Sequence, residues 1–330
     1  MSPVLRPVVT LTEAEIASLV DRSASLAADH LPLSMDRIRA YNRTQVAAQV
    51  ASAADAWVMD DDGTTTGLAL IHSLPWDTEQ LGVPSSRMTL LLAKGDDRTR
   101  NMDLARTLAG VAVDRLRERG DRHVSIRLDA RELPAVQAVE ALGFRMVDGI
   151  QRFVFDLAGA QVPTWDEAAV PVRDAVEADI PALRELSANG FVYDRFHNDP
   201  VIPSETADRL YGVWIENAIL GKTGCAVLVA ECDGEPAGFF LLGEDTSAPE
   251  LLGEGVGTLV LITVSGRFRR RGVARTLSWA SLRRLGERGN RFCEVGTQIA
   301  NRPATAVYLD AGFRLAGTQL SLRWWGGDAA

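Results

Sequence analysis

Two short stretches in the C-terminal third carry the residue types best suited to chemistry. Residues 264–274 read V-S-G-R-F-R-R-R-G-V-A, directly after an apolar run and directly before a helical one. That is a strand, a tight basic loop and a helix start, an arrangement suited to holding phosphate. Gly272 lets the backbone approach an anion closely, Ala274 keeps that approach open, and the first helical amides, from Val273 onward, point at bound oxygens. Arg269, Arg270 and Arg271 add positive charge. The second stretch, N-R-P-A-T-A-V-Y-L-D-A-G-F, begins at Asn301. Asn301, Ala304 and Tyr308 follow at intervals of three and four, which places them on one helix face. Asn301 also suits a helix N-cap ahead of Pro303 in the first turn. Tyr308 can give a proton or anchor its helix against a sheet, and both readings stand at this point.

The elements that must position these residues follow from pattern. C-A-V-L-V-A-E-C-D-G-E-P-A-G-F-F-L-L predicts a hairpin turning at Asp233-Gly234. A strand to Val264, a helix over 273–288, a strand over 292–298, the helix of Tyr308 and a last strand T-Q-L-S-L-R-W-W come next. Upstream, V-P-V-R-D-A reads as a first strand, E-A-D-I-P-A-L-R-E-L-S begins a helix, and a second helix starts at Ser204 with a Ser/Glu signal. Strands and helices in this mixture predict an α/β layer fold.

The chain also repeats itself. The segment beginning A-R-T-L at Ala105 matches the one beginning A-R-T-L at Ala274, 169 positions on. That register continues without a gap to Pro134/Pro303, Ala135/Ala304 and Gly143-Phe144/Gly312-Phe313. Two related domains are therefore expected, over 1–160 and 171–330, joined by a small-residue linker at 158–170. At the same offset Gly272 corresponds to Asp103, Arg271 to Met102, Asn301 to Glu132 and Tyr308 to Val139. An aspartate in a phosphate cradle repels the ligand, and valine transfers no proton. Chemistry is expected of the second copy, and a structural or acceptor-shaping role of the first.

Composition narrows the partners. A chain of 330 residues can bury a large core, and its net charge of −9 argues against general affinity for nucleic acid or anionic membrane. The basic loop is then a local site for a small anion. Cys225, Cys232 and Cys293 lack C-x-x-C spacing and the four histidines are scattered, so no metal site is expected. The N-terminus has no long apolar segment and no run approaches a membrane span, which predicts a cytoplasmic protein.

The loop pattern Q/R-x-x-G-x-G/A, met by Arg269, Gly272 and Ala274, followed by N-x-x-A-x-x-x-Y-x-x-x-G-F, resembles the GNAT superfamily of acyl-CoA N-acyltransferases. The resemblance implies α/β architecture as tandem GNAT folds, each a mixed, mostly antiparallel central sheet flanked by helices, with a degenerate N-terminal copy. It implies acyl-CoA, acetyl-CoA first, as co-substrate, with the arginine loop and helix start on the pyrophosphate. Backbone amides of Leu261, Ile262, Thr263 and Val264 would pair with the pantetheine arm and polarise the thioester carbonyl. Asn301 would face the pantetheine and Tyr308 would protonate the departing thiolate. Thr297 and Gln298 would end a strand at the splayed cleft, and the loop holding Arg195, Phe196, His197 and Asp199 would wall the acceptor site. Glu254 and Glu294 are the nearest carboxylates by sequence and read as surface or supporting groups.

Residues 191–218, together with L-P-W-D-T-E-Q-L-G-V-P at 74–84, are similar to the TDP-fucosamine acetyltransferase branch of that superfamily. Those enzymes acetylate the 4-amino group of dTDP-4-amino-4,6-dideoxygalactose, and their N-terminal half is likewise a degenerate copy. The reading is an N-acyltransferase for a small-molecule amine, foremost a nucleotide-linked amino sugar. An alternative keeps the fold in natural-product tailoring, with the phosphopantetheine of an acyl carrier protein or an unusual acyl-CoA as donor. A non-enzymatic acyl-CoA sensor is the alternative of another class, and retention of Tyr308 counts against it.

Overall fold

A computed structural model describes residues 3–23, 25–159, 162–164, 169–188 and 190–326. The chain divides into two compact units, Met1–Gly149 with Thr318–Ala330, and Ile150–Gly317. Among the described residues no helix is long and apolar enough to cross a membrane.

The first unit runs β1 (Val4–Pro7), α1 (Glu13–Arg22), α2 (Met35–Ser52), β2 (Asp55–Asp61), β3 (Thr64–Ser73), α3 (Pro75–Leu81), β4 (Ser85–Ala93), α4 (Arg98–Glu118), β5 (His123–Asp129), α5 (Leu133–Ala141) and the start of β6 (Arg145–Asp156). Local chemistry sets the helix starts. Thr12 and Glu15 form a reciprocal capping box at α1, and Ser34 and Asp97 cap α2 and α4. Strands β1 to β5 lie in sequential order, antiparallel except for the parallel pair β4–β5. Helices α4 and α5 bury Leu104, Leu108, Val113 and Val139 in one core, and α1 and α2 bury Leu19, Val46 and Val50 in another.

The second unit repeats the plan with β7 (Val172–Asp174), α6 (Ile180–Ala188), α7 (Ser204–Ile219), β8 (Ala226–Cys232), β9 (Glu235–Asp245), α8 (Ala248–Leu251), β10 (Gly255–Val264), α9 (Val273–Glu287), β11 (Asn290–Gln298), α10 (Arg302–Asp310) and the start of β12 (Arg314–Trp325). Its strands run β7-β8-β9-β10-β11-β6, antiparallel except for the parallel pair β10–β11. Ser204 is the first helical residue of α7, and the cap position is Pro203 with no side-chain hydrogen bond. Phe153, Phe155, Leu277, Leu282, Tyr308 and Phe313 share the core beneath α9 and α10.

The units differ in one respect from the halves that the repeat suggests. Strand β6 pairs with β11 through Ile150–Gln298 and Asp156–Phe292, inside the second unit. Strand β12 pairs with β5 through Gln319–Asp129 and Trp325–His123, inside the first. Arg145 and Arg314, and Asp156 and Trp325, stand 169 positions apart, so β6 and β12 are equivalent strands, each completing the sheet of the other copy. The C-terminal boundary at 330 for the second domain is therefore replaced by one near Gly317. The linker expected at 158–170 falls in part outside the described residues.

Candidate active site

The cleft of the second unit begins at a defect in β10. Parallel pairing with β11 ends where Leu259 faces Val295. Against β9 the register shifts between Leu259 and Leu261, which leaves Val260 as a bulge. Beyond it β10 keeps to β9 and parts from β11. The Ser265 N–H donates to the Ala237 carbonyl at 2.9 Å. Alternation along an antiparallel ladder then turns Thr263 and Leu261 toward β9, and turns the amides of Ile262 and Val264 toward the side that β11 has left. Of the four amides expected to serve a ligand, Leu261 and Thr263 are thus engaged in the sheet.

The gap is a cleft open to solvent and lined by Val260, Leu261, Ile262, Gly296, Thr297, Gln298, Asn301, Ala304 and Tyr308, with Gly190, Phe191, Val192, Tyr193, Asp194 and Tyr211 on the remaining wall. Gly190 lets that wall approach the strand, because a Cβ there would stand 2.1 Å from Thr263 Oγ1 and 2.9 Å from the Leu186 carbonyl oxygen. Asn301 caps α10, its Oδ1 accepting from the Ala304 N–H at 3.2 Å. Among the described residues nothing occupies its Nδ2 donors. Tyr308 is 2% exposed, with its ring against Phe153 and Phe313 at centroid distances of 5.9 and 5.8 Å. Burial, with the neighbouring Cys293 thiol adding to it, pushes the phenol well above its ordinary pKa and keeps it protonated.

Directly after Val264 the chain makes a 3-10 turn, Gly266–Phe268, that drops Phe268 into the core at 2% exposure. Arg270 and Gly272 then take left-handed conformations, φ 62° and 84°. A Cβ at Gly272 would meet nothing nearer than the Arg275 guanidinium at 3.9 Å, so it is the backbone angle that favours glycine. Helix α9 starts here without a side-chain cap; its first internal bond is Thr276 N–H to the Gly272 carbonyl. The amides of Val273, Ala274 and Arg275 therefore lack intrahelical partners. Arg269 and Arg270 are exposed and, among the described residues, make no ion pair. Arg271 is exposed as well and pairs with Asp233 of the β8–β9 turn at 2.9 Å.

Four residues expected at the acceptor wall, Arg195, Phe196, His197 and Asp199, are not among the residues that line this cleft. Phe196 is buried under the loop, edge-on to Tyr211, with the Arg195 guanidinium 4.4 Å from its ring centroid. Asp199 is buried and accepts from the Val201 N–H at 3.1 Å, an Asx turn that shapes the loop. His197 is bound at both ring nitrogens, Nδ1 to Asp194 at 2.5 Å and Nε2 to Asp208 at 3.0 Å. Burial disfavours its charge, and the hydrogen bonds to Asp208 and Asp194 outweigh burial, raising the imidazole pKa. Thr297 and Gln298 do line the cleft. Sequence reasoning missed Phe191 and Tyr211, stacked at 4.2 Å; the density of aromatics between 191 and 214 was the available signal. Glu254 and Glu294 lie outside the cleft lining and pair with Arg291 and Arg152.

Residues 191–313 match the acetyltransferase (GNAT) family. The dTDP-fucosamine acetyltransferase of Escherichia coli O6:H1 is 30% identical over 201 residues, which span 59% of this chain and 78% of that protein. The fold is similar to that of a tandem GNAT protein from the clavulanic acid biosynthesis pathway, with a TM-score of 0.62 and 17% identity over the full length of both chains. It is also similar to that of a GCN5-related N-acetyltransferase from Sphaerobacter thermophilus, with a TM-score of 0.63 and 17% identity over 98% of this chain and 95% of that one. Motif, cleft and relatives agree, and the chain belongs to the GNAT family of acetyltransferases.

Proposed function

We propose that the second unit transfers an acyl group, acetyl first, from acyl-CoA to the amine of a small molecule, an amino sugar of the dTDP-fucosamine kind named for the Escherichia coli relative. The observation that carries this reading is the coexistence, along one strand and its flanks, of an uncapped helix start, a splayed gap with two free-facing amides, and a buried phenol. The loop begins three residues beyond Ile262, about 10 Å along an extended strand. One donor can thus reach from Arg269, Arg270 and the amides of Val273 and Ala274 down to Tyr308.

Each group then has a task. The helix start, Arg269 and Arg270 neutralise pyrophosphate. Ile262 and Val264 amides pair with the pantetheine arm, and a donor fixed in that register polarises the thioester carbonyl where charge develops. Tyr308 protonates the leaving thiolate. The burial that keeps the phenol protonated also raises the basicity of a thiolate forming beside it, so the phenol is held as the acid without losing ground against the group it must protonate. The first unit contributes structure to the enzyme and binds no donor.

The test is thiol release from acetyl-CoA and longer acyl-CoA donors across a panel of amines that includes TDP-4-amino sugars. Amine-dependent release, with the highest kcat/KM for a TDP-amino sugar, is expected. Absence of release with every amine would overturn the acyltransferase reading, and equal rates with simple amines would overturn the sugar acceptor.

A further inference from the structure

We propose that Asp194 is the group that binds the acceptor's ammonium and takes its proton, and that His197 and Asp208 are positioning residues that hold Asp194 in place. The inference deepens the acyltransferase reading above and rests on it.

The amine-bearing end of the acceptor must enter the cleft to meet the thioester. Among the described residues lining that cleft Asp194 carries the only carboxylate, and the other ionisable groups are the phenols of Tyr193, Tyr211 and Tyr308. Asp194 is 4% exposed, yet its acceptor capacity is incompletely used. Oδ1 accepts from the N–H groups of Phe196 and His197 at 2.8 and 3.3 Å, and Oδ2 accepts from His197 Nδ1 at 2.5 Å. A carboxylate offers roughly four acceptor positions, so one remains, on Oδ2. Two carboxylates around one imidazolium give the cluster a net charge of −1, which attracts an ammonium.

The first unit shows the same kind of loop carboxylate with its charge cancelled. There Asp29, between α1 and α2, is paired at 2.8 Å with Arg131, just ahead of α5. Burial works against ionisation of Asp29, but hydrogen bonds from His30 and Arg131 bring its pKa down to about 2. The position 169 beyond Arg131 is Ala300. No arginine stands at that position in the second unit.

The proton count closes. The ammonium N–H breaks as Asp194 O–H forms, and the freed lone pair makes the C–N bond to the thioester carbonyl. As C–S breaks, sulfur takes the Tyr308 proton, and the second N–H proton, lost as the amide forms, restores the phenol. Asp194 returns its proton to water when product leaves. The sum is ammonium and thioester to amide, thiol and one solvent proton.

Asp194→Asn keeps an Oδ1 for the two backbone N–H groups and so preserves the turn. It should lower acceptor kcat/KM by roughly 10²-fold or more, the range for loss of a positioned base, with acyl-CoA affinity unchanged. Asp194→Glu should recover part of the loss. Asp208→Asn, at a half-exposed site on α7, cannot unfold the loop outright and should raise the acceptor KM several-fold while leaving the acyl-CoA dissociation constant unaltered. Wild-type transfer with unchanged acceptor constants in Asp194→Asn would overturn the assignment and leave the acyltransferase reading standing. No change in Asp208→Asn would overturn the positioning role. No thiol release by the wild-type protein with any amine would remove the reading and this assignment together.

Discussion

The two units carry the same sheet defect and put it to different use. In the first, β3 against β4 shifts register around Thr89, and parallel pairing of β4 with β5 ends at Met88–Ile126, as Val260 and Leu259–Val295 do in the second. The helix that follows ends in register, at Glu118 in α4 and Glu287 in α9, 169 positions apart. Its start does not. Helix α4 begins at Arg98, the equivalent of Arg267, whereas α9 waits until Val273. In α4 the six extra residues are wound into helix and capped by Asp97, whose Oδ1 accepts from the Arg100 N–H at 2.8 Å. Arg100 is turned onto Asp61. The phosphate site proposed for the second unit thus depends on leaving a helix turn unwound, and its counterpart is filled where the turn forms and a carboxylate takes a free amide.

The gap is closed as well. Glu132, in the place of Asn301, is buried with Lys94 at 2.9 Å and accepts from Ser25 Oγ of the α1–α2 loop at 3.3 Å. Arg131 ties the same loop through Asp29. A splayed sheet is therefore a property of the fold, and the proposed active site is what the second copy leaves open around it.

The largest expected effect on function is at Tyr308, whose counterpart is Val139. Tyr308→Phe should lower turnover by roughly 10²- to 10⁴-fold with donor affinity nearly intact. Because burial raises the phenol pKa, the wild-type rate should show no loss from its ionisation as pH rises to 10. Full turnover by the phenylalanine variant in a chemistry-limited assay would make Tyr308 a packing residue.

A change in the exchanged strand separates the units by stability. Trp324 is 7% exposed in the core beneath α4 and α5, although it lies at the C-terminal end of the chain. Trp324→Ala should cost about 3–5 kcal/mol, read as faster hydrogen exchange in α4 and β5 with α9 and β11 affected less. Loss confined to α9 and β11 would contradict the exchange of β6 and β12. A smaller effect is expected at the cap. Asp97→Ala should cost about 1 kcal/mol in α4 and leave acyl-CoA binding unchanged, since an uncapped helix start without the left-handed loop does not rebuild the site.

Much of this was legible in the residues and some was not. The repeat register located equivalent elements, and spacing placed Asn301, Ala304 and Tyr308 along one cleft. Strand exchange was hidden because β6 and β12 occupy equivalent positions, and a sequence does not say which of two like sheets a strand joins. The pairing of Arg271 with Asp233 was not legible because the two stand 38 positions apart, the aspartate in a hairpin turn. The loop after α6 was recognisable as aromatic and charged, but which side chains turn inward is decided by packing. Phe196 goes under Tyr211, His197 goes between two carboxylates, and Asp194 is left at the cleft.

The central claim, that donor binding belongs to the second unit because its helix start is left open, is tested most directly by calorimetric titration of acetyl-CoA into the wild-type chain, Gly272→Asp and Asp103→Gly. Aspartate tolerates a left-handed backbone better than most residues, so the fold should survive the first substitution. A carboxylate near 4 Å from pyrophosphate costs about 4 kcal/mol at intermediate dielectric, and partial exposure reduces this. The wild-type chain and Asp103→Gly should each bind one equivalent, and Gly272→Asp should bind at least roughly 10²-fold more weakly. Undiminished affinity in Gly272→Asp, or a second equivalent bound by the wild-type chain, would contradict the account.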